Sequence, residues 1–96
     1  MSDSAVYPYV ESGERIMVTR NSEYHLRGVT CVGVRTKEGD WHTEHQAIGG
    51  VLEGAFGHDT QGIFRATPGP HPHIGQRLCF SGDVLTSPLK NIREVA

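Results

Sequence analysis

Alternating apolar and polar residues are the main pattern in the first third of the chain. Ile16 and Val18 fall on one face of an extended segment, and Tyr24 and Leu26 repeat the pattern after a polar run at residues 20–23. Apolar residues at every second position are typical of a strand with one buried face. The asparagine and serine in the polar run favour a turn, because their side chains bond the nearby backbone. The pattern therefore predicts a β-hairpin here.

The alternation changes phase at Arg27 and Gly28. Val29 and Cys31 fall on the parity opposite to that of the preceding strand. A glycine at such a slip predicts a β-bulge, which bends a strand and helps a small sheet to curl. The strand is then expected to run on to a turn at residues 37–40.

The segment 43–56 is compatible with two structures. Its apolar residues form a helical stripe, and Thr43 with Gln46 resembles a helix-capping box. A helix here would hold three glycines in its interior, each at a cost of about 1 kcal/mol. Glycine is common at the bends of strongly coiled strands. We therefore favour a strand, and a helix near residues 43–56 is the alternative.

Glycines and prolines set the expected boundaries in the last third of the chain. A short strand is predicted at residues 63–66, and the prolines of residues 67–73 argue against regular structure there. The sequence Ser81-Gly82-Asp83 between two apolar runs predicts a tight hairpin turn, because glycine adopts positive φ readily. Pro88 is expected to end the strand that follows.

Together these elements predict an all-β fold. We expect a small, strongly bent sheet or barrel of about five to seven short strands. Residues 14–96 would form this single domain, and residues 1–13 have the composition of an N-terminal tail. The alternative class is α+β, with one helix at residues 43–56.

The composition of the 96-residue chain narrows the function classes. Nine basic and eleven acidic residues give a formal net charge of −2. The chain therefore lacks the excess of basic residues that is typical of proteins that bind nucleic acid or an anionic membrane. Cys31 and Cys79 lie in apolar runs, where a buried free thiol is more typical than a disulfide, although a cross-strand pair stays open. We see no leader pattern and no stretch of membrane-spanning length. We therefore expect a cytoplasmic protein.

Six histidines are the most unusual feature of the composition. Four of them form two close pairs, His42 with His45 and His71 with His73. Neutral imidazole is the commonest metal ligand, so these four are the candidate ligands of zinc or another divalent metal. Their spacing differs from the helical zinc-protease motif. We favour the alternative, in which they are exposed loop histidines and the protein has no cofactor.

No pattern in the chain indicates catalysis. The sequence contains no nucleophile elbow, cysteine-protease signature or phosphate-binding loop. We therefore expect a non-enzymatic interaction module that binds a protein partner or itself, because exposed edge strands invite pairing. The candidate contacts are Tyr7, Tyr9, Trp41 and the loop around His71 and His73. The aromatic residues could instead fill the core, and for Trp41 we favour that explanation.

Two other function classes stay open. A metal- or small-ligand-binding protein would use the two histidine pairs, and it requires that they meet in space. A single-stranded nucleic-acid binder would stack bases on Tyr24, Trp41 and Phe64. We do not expect nucleic acid as the partner, because acidic residues outnumber basic ones.

Three short segments of the chain carry a recognisable pattern, T-x-N-S-x-Y, then G-x-x-L-x-F, then T-S-P followed by Val or Leu. They are Thr19–Leu26, Ile74–Phe80 and Leu85–Leu89 with Ile92. In this order they resemble small uncharacterised β proteins of bacteria and their phages. The resemblance implies a compact, strongly bent β domain with no catalytic assignment. It also implies that Asn21 and Ser22 turn the first hairpin, and that Thr86, Ser87 and Pro88 close the last one.

Overall fold

Residues 14–95 are described in a computed structural model, with the backbone alone for Val95. Seven antiparallel strands form one sheet in the order β3-β2-β1-β7-β6-β4-β5. The all-β prediction is confirmed, and the bent sheet is not closed into a barrel. The predicted tail, with Tyr7 and Tyr9, lies outside the described residues. The strands are β1 (Glu14–Thr19), β2 (Ser22–Arg27), β3 (Thr30–Thr36), β4 (Leu52–His58), β5 (Phe64–Pro68), β6 (Arg77–Phe80) and β7 (Val84–Val95).

The long strand β7 joins the two halves of the sheet. Its first residues pair with β6, and the rest pairs with β1. The expectation that Pro88 ends the strand is therefore wrong, and Thr86 to Pro88 lie inside β7 instead of closing a hairpin. Pro88 stands opposite Arg77, beside a register shift and just before β7 changes its partner. Because the ladder is already irregular there, the missing proline amide is tolerated.

Two hairpin turns lie where the sequence predicts turns. Arg20 and Asn21 connect β1 to β2, and the Thr19 hydroxyl accepts a hydrogen bond from the Ser22 amide (3.2 Å). Residues 81–83 connect β6 to β7, with Gly82 and Asp83 at positive φ (84° and 63°). Both turns are short, so they fix the register of the strands that they join.

The phase slip at Arg27 and Gly28 proves to be a turn, so the predicted bulge at this point is wrong. Gly28 (φ 63°) and Val29 form a two-residue connection between β2 and β3. The positive φ that glycine allows suits a tight hairpin. A register shift does occur nearby, between His25 and Leu26.

The segment 43–56 contains no helix, so the α+β alternative is wrong, and only its last five residues belong to a strand. Residues 46–49 form a turn, and β4 begins at Leu52. The turn before β4 is also bonded to β3: the Gly49 amide donates to the Cys31 carbonyl, and the Cys31 amide donates to the Gly50 carbonyl. These bonds draw the start of β4 against β3 and bend the sheet.

The strand predicted at residues 63–66 lies at Phe64–Pro68. Thr67 and Pro68 therefore belong to a strand, contrary to the expectation that the proline-rich run has no regular structure. β5 is the last strand in the sheet order. A proline is tolerated there, because an edge strand has one side without a ladder.

The core contains side chains from both halves of the sheet, and Phe80 is its largest fully buried side chain. Phe80 stacks on Tyr24, with ring centroids 5.6 Å apart. Cys31 is buried and Cys79 is half-buried, and both are free thiols, so the disulfide alternative is wrong. The buried hydrophobic residues are Met17, Tyr24, Leu26, Cys31, Val34, Ala47, Leu52, Ala55, Leu78, Phe80, Val84 and Leu89.

Candidate functional site

An apolar surface covers the outer side of β4, β5 and β6. Residues that stand directly opposite each other on neighbouring strands share one face of a sheet. Ala55 is opposite Leu78, and both are buried, so the alternate residues of β4 face outward. Those residues and their cross-strand partners form a surface that we call the β5 face. Its members are Gly54, Phe56, His58, Phe64, Ala66, Pro68, Cys79 and Arg77, the β6 residue opposite Phe56.

The β5 face exposes two aromatic rings. Phe64 is 60% exposed and Phe56 is 37% exposed. The His58 ring packs edge-on against Phe64, at a centroid distance of 5.5 Å. Isolated exposed hydrophobic residues are ordinary, whereas a contiguous group of them marks an interaction surface more often. The alternation of the hairpin puts these rings on one continuous face.

A shallow, open groove of about 310 Å³ crosses the β5 face. Phe56, Ala66, Pro68 and Cys79 line it, and Gly54 adds no side chain to fill it. Burial, with the nearby negative charge of Glu53, raises the pKa of the Cys79 thiol. A thiol that keeps its proton behaves as a small apolar group, so it does not interrupt the surface.

The outer edge of β5 carries backbone groups that β4 does not use. The Asp59 amide donates to the Ile63 carbonyl (3.0 Å), and the Gly69 amide donates to the Glu53 carbonyl (2.8 Å). In an antiparallel ladder the bonded pairs alternate with non-bonded pairs. Between these two bonds the register has no shift. The odd-numbered residues 63–69 therefore bond to β4, and the even-numbered residues of β5 direct their amide and carbonyl groups away from the sheet.

The other edge of the sheet, β3, is covered by the chain itself. Both backbone groups of Cys31 are bonded to the segment just before β4, and the His42 amide donates to the Val34 carbonyl (2.9 Å). Thr30 and Val51 form an isolated bridge. Natural sheets protect their edges in this way against pairing with other chains. Within residues 14–95, β5 is thus the edge that lacks such a cover.

A buried glutamine holds β5 from beneath. The side-chain nitrogen of Gln76 (Nε2) donates to the Arg65 carbonyl (3.1 Å) and to the Thr67 hydroxyl (3.0 Å). Its side-chain oxygen (Oε1) accepts a hydrogen bond from the His73 backbone amide (2.7 Å). Gln76 is fully buried, and a buried polar group must keep such partners. The β5 strand is therefore fixed in position, although its side chains face solvent.

The turn before β5 is organised by one carboxylate. Asp59 Oδ1 accepts hydrogen bonds from the amides of Gln61 and Ile63, and its Oδ2 accepts from Arg65 Nε at 2.6 Å. These bonds, the one from Arg65 first, lower the pKa of Asp59 to about 2. The ion pair also holds the Arg65 side chain over the turn.

We expect that Arg65→Leu raises the pKa of Asp59 toward its ordinary value of 3.8, though only in part, since the two amide donors stay. The pKa of Asp59 is lower in the folded protein than in the unfolded chain. The stabilisation of the fold by ionised Asp59 is therefore complete above about pH 4, and it is lost as the pH falls through about 2. A carboxyl-carbon NMR titration measures this pKa. Arg77→Leu, on the neighbouring strand β6, is the control that should leave it unchanged. A pKa of Asp59 near 3.8 in the wild-type protein would contradict the contact between Asp59 and Arg65.

Trp41 lies on the surface, so the expectation that it joins the core is wrong. The residue is 55% exposed, and its ring covers Gly33 on the outer side of β3. A Cβ atom at position 33 would lie 2.9 Å from the ring. The His25 ring is 4.7 Å away between centroids, and the Arg35 guanidinium carbon is 5.6 Å from the ring centroid. Trp41 is thus an exposed aromatic residue at the opposite edge from β5.

The two candidate histidine pairs lie in different loops of the described structure. His42 and His45 are neighbours, with centroids 5.1 Å apart, and His45 Nδ1 accepts a hydrogen bond from the Ala47 amide (3.0 Å). Burial, and then the proximity of His42, lower the pKa of His45. His71 and His73 are exposed in the loop before β6. Among the described residues, no group of three or more His, Cys, Asp or Glu side chains is placed to hold a metal ion.

Of the three aromatic residues predicted to stack on bases, Tyr24 is buried beneath Phe80. Trp41 and Phe64 are exposed, but they belong to opposite edges of the sheet. The structure therefore does not bring the three rings together on one surface.

The sequence analysis does not predict the surface that forms the β5 face. The available signal was the turn at residues 59–62 between two runs that contain phenylalanine, from which the pairing of β4 with β5 follows. The described part of the chain has no helix with the length and hydrophobicity to cross a membrane. Compared with known proteins, the chain matches no family model, and neither a curated protein nor a solved structure is detectably similar to it.

Proposed function

We propose that this chain is a non-enzymatic interaction module that binds another polypeptide through the β5 face. The observation that carries the proposal is the combination, on one strand, of an uncovered edge and an exposed aromatic residue. β5 has exposed side chains on both sides, and Phe64 stands beside the open apolar groove. Because β5 contributes little to the core of its own chain, it is available to pair with another polypeptide.

Strand addition is the mode of binding that fits this geometry. In strand addition an extended segment forms main-chain hydrogen bonds with a sheet edge, and its alternate side chains enter pockets beside that edge. Phe64 and Ala66 supply amide and carbonyl groups at the edge, and the groove lined by Phe56 and Pro68 supplies the pocket. Apolar burial provides the affinity, and the backbone bonds fix the direction of the added strand.

Position-specific photo-crosslinking in the cell that produces the full chain tests the proposal. A photo-reactive phenylalanine analogue at position 64 should yield one discrete crosslinked protein species, since Phe64 would face the bound polypeptide. The same analogue at Val32 is the matched control, because Val32 is 43% exposed but lies on the covered strand β3. We expect no discrete product from position 32. Absence of any product from position 64, or equal products from both positions, would contradict the proposal.

A further inference from the structure

We propose, resting on the proposed function, that the polypeptide bound by the β5 face is a second copy of the same chain. The two β5 strands pair edge to edge in antiparallel direction. The two-fold axis passes between the two Ala66 residues, perpendicular to the sheet. The result is one continuous sheet that runs through both copies.

The backbone of β5 is self-complementary in this register. Its outward-facing residues are Phe64, Ala66 and Pro68. A two-fold axis at Ala66 places each Ala66 opposite its equivalent, where the two residues exchange two hydrogen bonds. It also places each Phe64 opposite Pro68 of the other copy, where the Phe64 amide donates to the Pro68 carbonyl. Proline lacks only the amide that would return the bond, so four bonds form across the axis.

The side chains are compatible with the same register. On the outer side, each Phe64 comes to lie beside Pro68 of the second copy, at the rim of that copy's groove, so the two β5 faces merge into one apolar surface. The small side chain of Ala66 at the axis lets the strands approach closely. On the other side, Arg65 stands opposite Thr67, and no two like charges oppose each other. Like charges directly opposite would destabilise the pair.

The pairing is closed at two copies. Each copy uses β5 once, and its other edge, β3, is covered by the segments that contain His42 and Gly50. A two-fold interface between identical surfaces ends growth, whereas an open second edge would permit a filament. The strand is only five residues long. The interface is therefore small, and we expect a reversible dimer that dissociates on dilution.

Sedimentation equilibrium of the full chain over a range of concentrations tests the pairing. The wild-type protein should change from the 10.5 kDa monomer to twice that mass as concentration rises. Ala66→Pro removes an amide that β4 does not use, together with both central hydrogen bonds. It should raise the dissociation constant at least tenfold. A wild-type protein that stays monomeric at about 1 mM, or an Ala66→Pro protein that dimerises equally well, would overturn the inference.

Thr60→Pro is the matched control. Thr60 is the second residue of the turn closed by the bond from the Gly62 amide to the Asp59 carbonyl, a position that favours proline. This variant inserts a proline into the same hairpin without touching the edge, and it should dimerise as the wild type does.

If Ala66→Pro fails to fold, amide exchange in the wild-type protein tests the pairing of the two β5 strands. The Phe64 and Ala66 amides should become protected as concentration rises, and unchanged exchange would overturn the inference.

The two proposals fail in distinguishable ways. A monomeric protein that still crosslinks from position 64 to a different protein would overturn the self-pairing and leave the interaction module standing. A monomeric protein that crosslinks to nothing from position 64 would overturn both. A crosslinked product of twice the chain mass, lost in the Ala66→Pro background, supports both.

Discussion

Replacing Phe80 by alanine should lower the free energy of unfolding by about 3–5 kcal/mol. Phe80 is fully buried and stacks on Tyr24 where the two halves of the sheet face each other. Truncation removes the apolar contacts of the ring and leaves a cavity that the surrounding strands fill only in part. A domain of this size has a total stability of roughly 5–10 kcal/mol. The variant should therefore lose about half of its stability, measured by urea denaturation.

The matched control is the same substitution at Phe64. That ring is mostly exposed and touches His58 edge-on, so Phe64→Ala should cost about 1 kcal/mol when measured at concentrations where the protein is monomeric. The contrast separates an aromatic residue that holds the fold from one that is available for binding. Equal losses for the two variants would mean that Phe64 is part of the core, which would contradict the assignment of the β5 face.

The fold class could be predicted from the sequence because the signals that specify it are local. Alternation at Ile16 and Val18, and the turn Ser81-Gly82-Asp83, depend on neighbouring residues alone. The errors occurred where partners distant in the chain decide the outcome. Pro88 would end a strand that has one partner throughout, but β7 changes from β6 to β1 at this point. No local pattern at Pro88 reveals that exchange.

The candidate site could be predicted only in part, because it depends on register. Trp41 is exposed because Gly33, eight residues earlier on β3, leaves room for its ring on the outer side of the sheet. The groove exists because Gly54 stands opposite both Pro68 and Cys79, a coincidence of three strands. The histidine pairs carried the more conspicuous sequence signal. The distance between the two pairs along the chain does not determine whether they meet in the folded protein. A metal site could therefore not be predicted from the number and spacing of the histidines alone.

Gly75→Ala is the second substitution with a large expected effect, because it combines two separate costs. Gly75 has a φ of 100°, which residues with a side chain rarely adopt, and its added Cβ would overlap the backbone carbonyl oxygen of His58. The conformational part costs about 1–2 kcal/mol. The overlap is with backbone at the end of β4, which cannot rotate away, so we expect a total loss of about 3 kcal/mol or more.

Gly69→Ala isolates the conformational part. Gly69 has a similar φ of 87°, but no atom lies within 4 Å of the position that its Cβ would take. Urea denaturation should therefore show a loss of only about 1–2 kcal/mol for this variant. If the two alanine variants lost equal stability, the close approach of Gly75 to His58 would be absent in solution.

The Gly75 substitution also bears on the β5 face. The Gly75 amide donates to the Leu89 carbonyl, and the next residue, Gln76, holds β5 through Arg65 and Thr67. A shift of this segment should release β5 before it releases the β1–β2 hairpin, because the two lie in opposite halves of the sheet. Amide exchange in Gly75→Ala should therefore accelerate first at β5. Uniform acceleration across the sheet would mean that β5 has no independent support, and that its position depends on the whole fold instead of on Gln76.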